Sequence, residues 1–436
     1  MTHRLTKIIL LLSAALCGGN LGAQPMTLQQ CMDYAVAHSA QMRLSAADRS
    51  DEQAAWRQSF LAAFTPALSA QSYAYNQNGR NLDPETNTYT DFTTFHNGYS
   101  LSGSITLFEG FQAIGRIRLA SLARQKGLSL EQQCADQVRI AVMEAYYQLL
   151  YYRRLSEVLR LTCATADSAL SKARREEELG RKGHADVVQM ESELAERQYQ
   201  LTDACGRRDQ ALLQLSETLC WPSGQPLLVA DPDDETESIA TPAARIELPA
   251  VAIARAELQR AEVEVRQARA AWSPALTLGA GWSTTYYTYP GLEGYTPVPF
   301  DQQWKANGGQ YIQLTLNLPL YSRGARTLAL RKSQNEHHRA QVRLEQALRE
   351  DSNALCRVAL EVETALASAT KAQRLADVRQ QAFALSRRQF ELGLISAIEY
   401  HTASQAYLNA QAENLNAQLQ LRLKRHLLRY RQTGIL

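Results

Sequence analysis

The chain is short of most features that would mark a specialised soluble function. Its 46 Lys and Arg stand against 44 Asp and Glu over 436 residues, a formal net charge of +2, which excludes a dedicated polyanion binder. Glycine and proline number only 22 and 13, too few for a collagen-like or low-complexity chain. No apolar run reaches the roughly 18 to 20 residues that a transmembrane helix needs, the longest being Ile8 to Cys17. A G-x-S-x-G elbow, an H-E-x-x-H pair and a phosphate-cradling glycine loop are all missing, so no motif supports an enzyme reading and no cofactor is expected.

What is present begins with export. The run Ile8 to Cys17 follows His3, Arg4 and Lys7 and precedes Leu21-Gly22-Ala23-Gln24, the layout of a secretory signal peptide over residues 1–23. Leu21 occupies a position where a small residue is usual, and the bulky Leu16 argues against lipid attachment at Cys17. Cleavage leaves Cys31, Cys134, Cys163, Cys205, Cys220 and Cys356, an even number that invites a disulfide reading. Five of them lie in long helical patterns without a C-x-x-C pair or a zinc-ligand spacing, so they are expected to be small packing residues with no metal role. The adjacent His337 and His338 point to different sides of a helix, as a surface pair would.

The body of the chain reads as long helices interrupted twice by strands. A heptad row runs from Leu348 through Leu355, Val362, Ala369, Ala376 and Phe383 to Phe390. A second runs from Val138 through Ala145, Tyr152, Leu159 and Ala166 to Ala173, flanked by Val142, Leu149 and Leu170. Such rows are coiled-coil seams. Strict alternation over about 67–76, 97–108, 275–287 and 310–320 marks four strands. The segments between the members of each pair, Gln77 to Asn97 and Pro290 to Gly309, read as long loops. Alternating apolar residues with terminal aromatics (Tyr73, Tyr75, Tyr99, Trp282, Tyr286, Tyr287, Tyr311) suit lipid-facing strands with interfacial girdles.

The plan is written twice. Phe64-Thr65-Pro66-Ala67-Leu68 matches Trp272-Ser273-Pro274-Ala275-Leu276, Leu107-Phe108 matches Leu320-Tyr321, and Glu178-Leu179-Gly180 matches Glu391-Leu392-Gly393. These landmarks divide the mature chain into a first repeat, 24–220, a Pro/Asp-rich linker or equatorial segment, 221–245, and a second repeat, 246–436. Gly110 to Glu178 and Gly324 to Glu391 would each span roughly 100 Å at 1.5 Å per residue. The stretches Thr27 to Phe64, His184 to Leu219, Ile246 to Trp272 and Ser396 to Arg431 would each span about half that. Four strands cannot close a membrane barrel, because open edges are not viable in lipid and the smallest barrels have about eight strands. Two chains would leave almost no lumen; three would supply twelve strands and twelve rods.

The opening Met26-Thr27-Leu28-Gln29-Gln30-Cys31-Met32-Asp33-Tyr34-Ala35, the helix–proline–strand junctions at Pro66 and Pro274, and the two Leu-Gly turns, in this order and duplicated, resemble the TolC family of outer-membrane efflux ducts over nearly the whole mature chain. The resemblance implies a mainly α fold with a membrane β-barrel contribution: a homotrimer with a twelve-stranded barrel in the outer membrane of a Gram-negative cell and an α-helical tunnel extending into the periplasm. It implies a passive exit duct for tripartite efflux or type I secretion, working with a periplasmic adaptor (membrane fusion protein) and an inner-membrane pump. Outer-membrane lipid is expected as a partner and nucleic acid is not. The tip turns, Gly180, Gly183, Gly393 and Ser396, become the expected adaptor-docking points, although the first tip is more basic than the family's usual small apolar turn.

Six residues beyond each tip glycine stand Asp186 and Glu399. In a trimer they would bring six carboxylates toward one axis as a periplasmic iris or gate. The competing reading makes them early-helix acids facing the helix dipole. The other function class, a periplasmic coiled-coil adaptor or structural protein, would show one hairpin nested in small β-domains, whereas this chain carries two hairpins and two strand pairs.

Overall fold

The computed structural model describes residues 25–82, 87–231, 247–292 and 294–434. The expected signal peptide, Cys17 and residues 232–245 of the linker lie outside the described residues. The chain divides into two compact units, one of residues up to 47, 129–252 and 347–436, the other of 48–128 and 253–346. Each unit draws on both sequence repeats.

The first unit is helical. Helix α1 (Leu28–His38) starts with a capping box in which the Gln30 amide donates to Thr27 Oγ1 and the Thr27 amide to Gln30 Oε1. The single helix expected from Thr27 to Phe64 is two. Ser39 leaves helical geometry at ψ 133°, ends α1, and uses its hydroxyl to accept from the Gln41 amide, so α2 (Ala40–Phe64) begins afresh. A serine side chain that offers the backbone an alternative partner produces such breaks, and heptad counting does not register them. The long helices α3 (Gln112–Glu178) and α7 (Ala325–Glu391) have 67 residues each, and α4 (His184–Leu219) and α8 (Ala397–Thr433) return from their ends. The heptad row of α3 is buried at Val138, Ala145, Leu159, Ala166 and Ala173. That of α7 is buried at Ala369, Ala376 and Phe390 but exposed at Leu348. The largest core joins Cys31, Met143, Tyr146, Leu150, Leu215, Leu219 and Leu423. Tyr146 donates its hydroxyl to the Ala230 carbonyl at 2.8 Å, and Met26 makes a parallel bridge with Val229, so the first part of the linker is fixed beside the residues that precede α1.

The second unit contains most of α2, the N-terminal parts of α3 and α7, most of α5 (Pro249–Ala270) and one antiparallel sheet of order β1-β2-β3-β4. Its strands are β1 (Ala67–Leu82), β2 (Tyr89–Phe108), β3 (Ala275–Thr288) and β4 (Gly309–Asn317). Pro66 and Pro274 stand between a helix end and the first residue of β1 and β3, where a residue with no amide to donate and a disfavoured helical predecessor belongs. Three expectations are corrected here. The segment Gln77 to Asn97 is mostly strand, with Gln77↔Thr94 and Leu82↔Tyr89 in register. Phe92 and Phe95 fall on opposite faces among polar neighbours, so the period-2 alternation that marks a strand is absent here. The segment Pro290 to Gly309 holds a helix, α6 (Phe300–Ala306). Strand β4 stops at Asn317 rather than 320, since Pro319 cannot supply a ladder donor.

Candidate functional site

The sheet sorts its residues by chemistry. Cross-strand partners share a face, so the pairs Leu101↔Trp282, Ile105↔Leu278, Leu278↔Leu314 and Ala280↔Ile312 build one apolar face. Ser69↔Ser102, Ser100↔Ser283 and Thr277↔Thr315 lie on the opposite, polar face. Both outer strands have an unpaired edge. On β4 every residue is exposed, Ile312 to 84%. The aromatics expected in lipid-facing interfacial girdles are split between the faces. Tyr99, Trp282 and Tyr286 lie on the apolar face, whereas Tyr73, Tyr75, Tyr287 and Tyr311 alternate onto the polar one, because a residue one step along a strand changes sides.

Helix α6 completes the apolar-face cluster. Trp304 packs on Tyr99 and Trp282 with ring centroids 5.0 and 5.2 Å apart, and Phe300 packs on Tyr286 at 5.4 Å. Polar bonds hold the helix in place. Thr284 Oγ1 donates to the Trp304 carbonyl at 3.0 Å, Asn307 Nδ2 donates to the Thr285 carbonyl at 2.6 Å, and the buried Gln303 side chain bonds both backbone groups of Tyr287. The local sign of α6 is the pair Phe300 and Trp304, four residues apart, a helical spacing.

The two hairpin tips, both in the first unit, are variants of one turn. After α3 the Gly180 amide donates to the Glu177 carbonyl and the Arg181 amide to that of Glu176, and after α7 Gly393 and Leu394 do the same to Phe390 and Gln389. Gly180 at φ +70° and Gly393 at φ +73° sit in the left-handed region that this C-terminal cap requires. The equivalent acids then diverge. Ser396 caps α8 and Glu399 closes the box, with its Oε2 accepting from the Ser396 amide at 2.9 Å and Ser396 Oγ accepting from the Glu399 amide at 3.2 Å. At the first tip Gly183 holds the capping position without a side chain, and Asp186 lies in the first turn of α4. The structure thus gives Glu399 a helix-end role that Asp186 has no serine to share.

The basic character of the first tip is partly hidden. Lys182 lays its ammonium 3.5 Å from the centroid of the Phe390 ring and 3.6 Å from Glu176, which fastens one hairpin to the other. Leu170, Ala173, Val187, Met190, Phe390, Ala397 and Tyr400 form the apolar cluster behind it. Burial, with the Glu193 carboxylate adding to it, pushes the Tyr400 phenol up to about 12. A fully buried Arg197 on α4 reaches across to α8, with Gln405 Oε1 at 2.5 Å and Ser404 Oγ at 3.2 Å, while Glu193 lies 3.5 Å away. This polar clasp had no sequence signal, since arginine at a helical spacing from glutamate usually lies on a solvated face. Leu179, Leu392, Leu394 and Ile398 are exposed at the tips.

The cysteines correct the sequence expectation in part. Cys31 and Cys134 are buried packing residues, but Cys220 and Cys356 are exposed, and all six described cysteines are free. Among the described residues no group of His, Cys, Asp and Glu is placed to hold a metal, and no helix is long and apolar enough to cross a membrane.

Comparison with known proteins follows the same lines. The family model for outer membrane efflux protein matches residues 241–429. No curated protein matches the sequence. The fold is similar to that of CusC, a protein described as forming a transmembrane channel, with a TM-score of 0.79 at 14% identity over 94% of this chain and 92% of that one. The outer membrane protein VceC from Vibrio cholerae gives 0.72 at 16% identity over 92% and 94%. The Campylobacter jejuni CmeC outer membrane channel gives 0.74 at 15% over 93% and 85%. The chain therefore shares its fold with these solved outer membrane structures over nearly its whole length, and residues 241–429 match the outer membrane efflux protein family model.

Proposed function

We propose that the protein is a passive, trimeric exit duct in the outer membrane of a Gram-negative cell, with its helical hairpins in the periplasm, where they receive cargo from an adaptor and an inner-membrane pump. The observation that carries this reading is the sheet: one apolar and one polar face, four strands and two unpaired edges on a single chain. Lipid accepts neither open edges nor a polar face, so strands must be pooled, and three chains give a twelve-stranded barrel with a wet interior. The efflux family match supports transport, and nothing in a duct of this kind has bonds to make or break.

The hairpin tips are the proposed adaptor-docking points, through Gly180, Gly183, Gly393 and Ser396 and the exposed leucines beside them. Asp186 and Glu399 form the proposed gate, where three copies of each would attract cations. Planar-bilayer recording of the purified protein tests the whole reading. Ion-conducting channels of trimeric mass are expected, and a monomer that is stable in plain buffer would remove the membrane role altogether.

A further inference from the structure

The polar face of the sheet holds a repeated device that the duct reading does not need. Tyr73 on β1 pairs with Gly98 on β2, and Tyr311 on β4 pairs with Gly281 on β3. A Cβ on Gly98 would run into the Tyr73 ring, and one on Gly281 would come within 2.7 Å of the Tyr311 ring. Each ring therefore lies down on the neighbouring strand in the space that glycine leaves. A tyrosine standing up from a sheet offers its edge and hydroxyl; one lying down offers a π face. Both rings remain half open, at 48% and 46% exposure.

The two pairs occupy equivalent places in the two repeats, with their members exchanged. Landmarks around β1 and β3 are 208 residues apart, as Pro66 and Pro274 are, and this offset carries Tyr73 onto Gly281. Landmarks around β2 and β4 are 213 apart, as Leu107 and Leu320 are, and this offset carries Gly98 onto Tyr311. Tyrosine over glycine is thus present in both hairpins, although the ring comes from the outer strand each time. Among the described strand residues this face carries no carboxylate, lysine or arginine. Its background is serine, threonine, asparagine and glutamine, and Tyr75 stacks on His96 beside Tyr73 at a centroid distance of 4.9 Å and an interplanar angle of 18°.

We infer that Tyr73 and Tyr311, held flat by Gly98 and Gly281, are stacking platforms for planar aromatic groups of the cargo. This rests on the duct reading, which turns the polar face toward the lumen and makes six platforms in a trimer. An uncharged wall with exposed π faces does not sort cargo by net charge; it retards and orients flat rings by stacking, with hydroxyls nearby to exchange for water. A sheet-stabilising role alone would need the rings to cover glycine but not to bind anything.

The test is block of single-channel current by two bulky monovalent cations, tetraphenylphosphonium and tetrabutylammonium, only the first of which carries aryl rings. In the wild type, tetraphenylphosphonium is expected to block about fivefold more tightly through stacking. The double variant Tyr73→Leu/Tyr311→Leu keeps apolar bulk over each glycine and is expected to lose that preference, while Tyr73→Phe/Tyr311→Phe keeps it. Equal block by the two cations in the wild type, or an unchanged preference in the leucine variant, overturns the platforms. Should the leucine pair fail to assemble, the wild-type comparison and the single variants still decide. A protein that opens no channel overturns the duct itself, an outcome distinct from an open channel without the preference.

Discussion

Glu399 shows how one side chain can hold two roles that a single substitution separates. It closes the capping box of α8, and glutamine serves that position as well as glutamate does. Glu399→Gln should therefore leave thermal stability within about 0.5 kcal/mol while weakening cation selectivity and block by multivalent cations in bilayer recordings. Ser396→Ala should cost about 1 kcal/mol and leave the charge in place. If Glu399→Gln and Asp186→Asn together change neither selectivity nor block, the acids are helix-end residues only. Tyr400 gives a second test at this scale. Its phenol is raised from 10.0 to about 12 because burial favours the neutral form. The stability it contributes is complete below about pH 10 and is lost as pH rises toward about 12. Denaturation midpoints followed across that range should fall less steeply for Tyr400→Phe than for the wild type. Burial likewise raises the Cys31 thiol to about 11, so alkylating reagents at neutral pH should label Cys220 and Cys356 and spare Cys31 until the protein unfolds.

Between elements, α4 is joined to α8 by buried hydrogen bonds from a charged donor, Arg197, whose ion-pair partner Glu193 lies one turn away on α4 itself. Arg197 meets Gln405, Ser404 and Glu193 with no solvent to share the charge. Removing the guanidinium alone leaves the Glu193 carboxylate buried without its cation, so Arg197→Met should cost about 3 to 5 kcal/mol. The pair Glu193→Leu/Arg197→Met removes both charges and should recover most of that loss. Denaturant midpoints of the two variants, read beside the wild type, make the check; equal loss in both would mean that packing rather than charge matters there. The same scale explains which elements were readable. Helices α3, α4, α7 and α8 were visible because their apolar rows repeat every seven residues over many turns and their glycine turns stand out. The outer parts of β1 and β2, from Gln77 to Asn97, and helix α6 were not. In the outer hairpin Phe92 and Phe95 face opposite sides among polar residues, which breaks the alternation, and α6 is held by side-chain bonds to β3 and by ring contacts that exist only once the strands are paired.

At the scale of the whole molecule, the single chain leaves a large apolar surface open. Ile312, Leu314, Leu316 and Leu320 are exposed along and beyond β4, and Leu360, Leu366 and Leu385 along α7. Monomers rarely keep such surface in water. Native mass spectrometry in detergent should give three times the mass of one mature chain. Ile312→Lys, on the apolar face, should cost about 2 to 4 kcal/mol if the residue sits near the bilayer midplane, read as loss of assembled protein from membranes. An undiminished yield would place that face away from lipid.

The sequence by itself determined the two repeats, the long helices, the glycine tips, the proline junctions and the number of strands. These follow from period, from missing amides and from positive φ, all of which act within a few residues. Only the tertiary structure decided which tyrosines share a face across the strands, that Tyr73 and Tyr311 rest on glycines, and that Arg197 is buried. It also decided that the Tyr430 hydroxyl donates to Asp136 at 2.8 Å across 294 residues of chain. The physical reason is common to all of them: a contact between distant segments has no period and leaves no local trace, because its energy depends on which partner arrives and on how much water is excluded when it does.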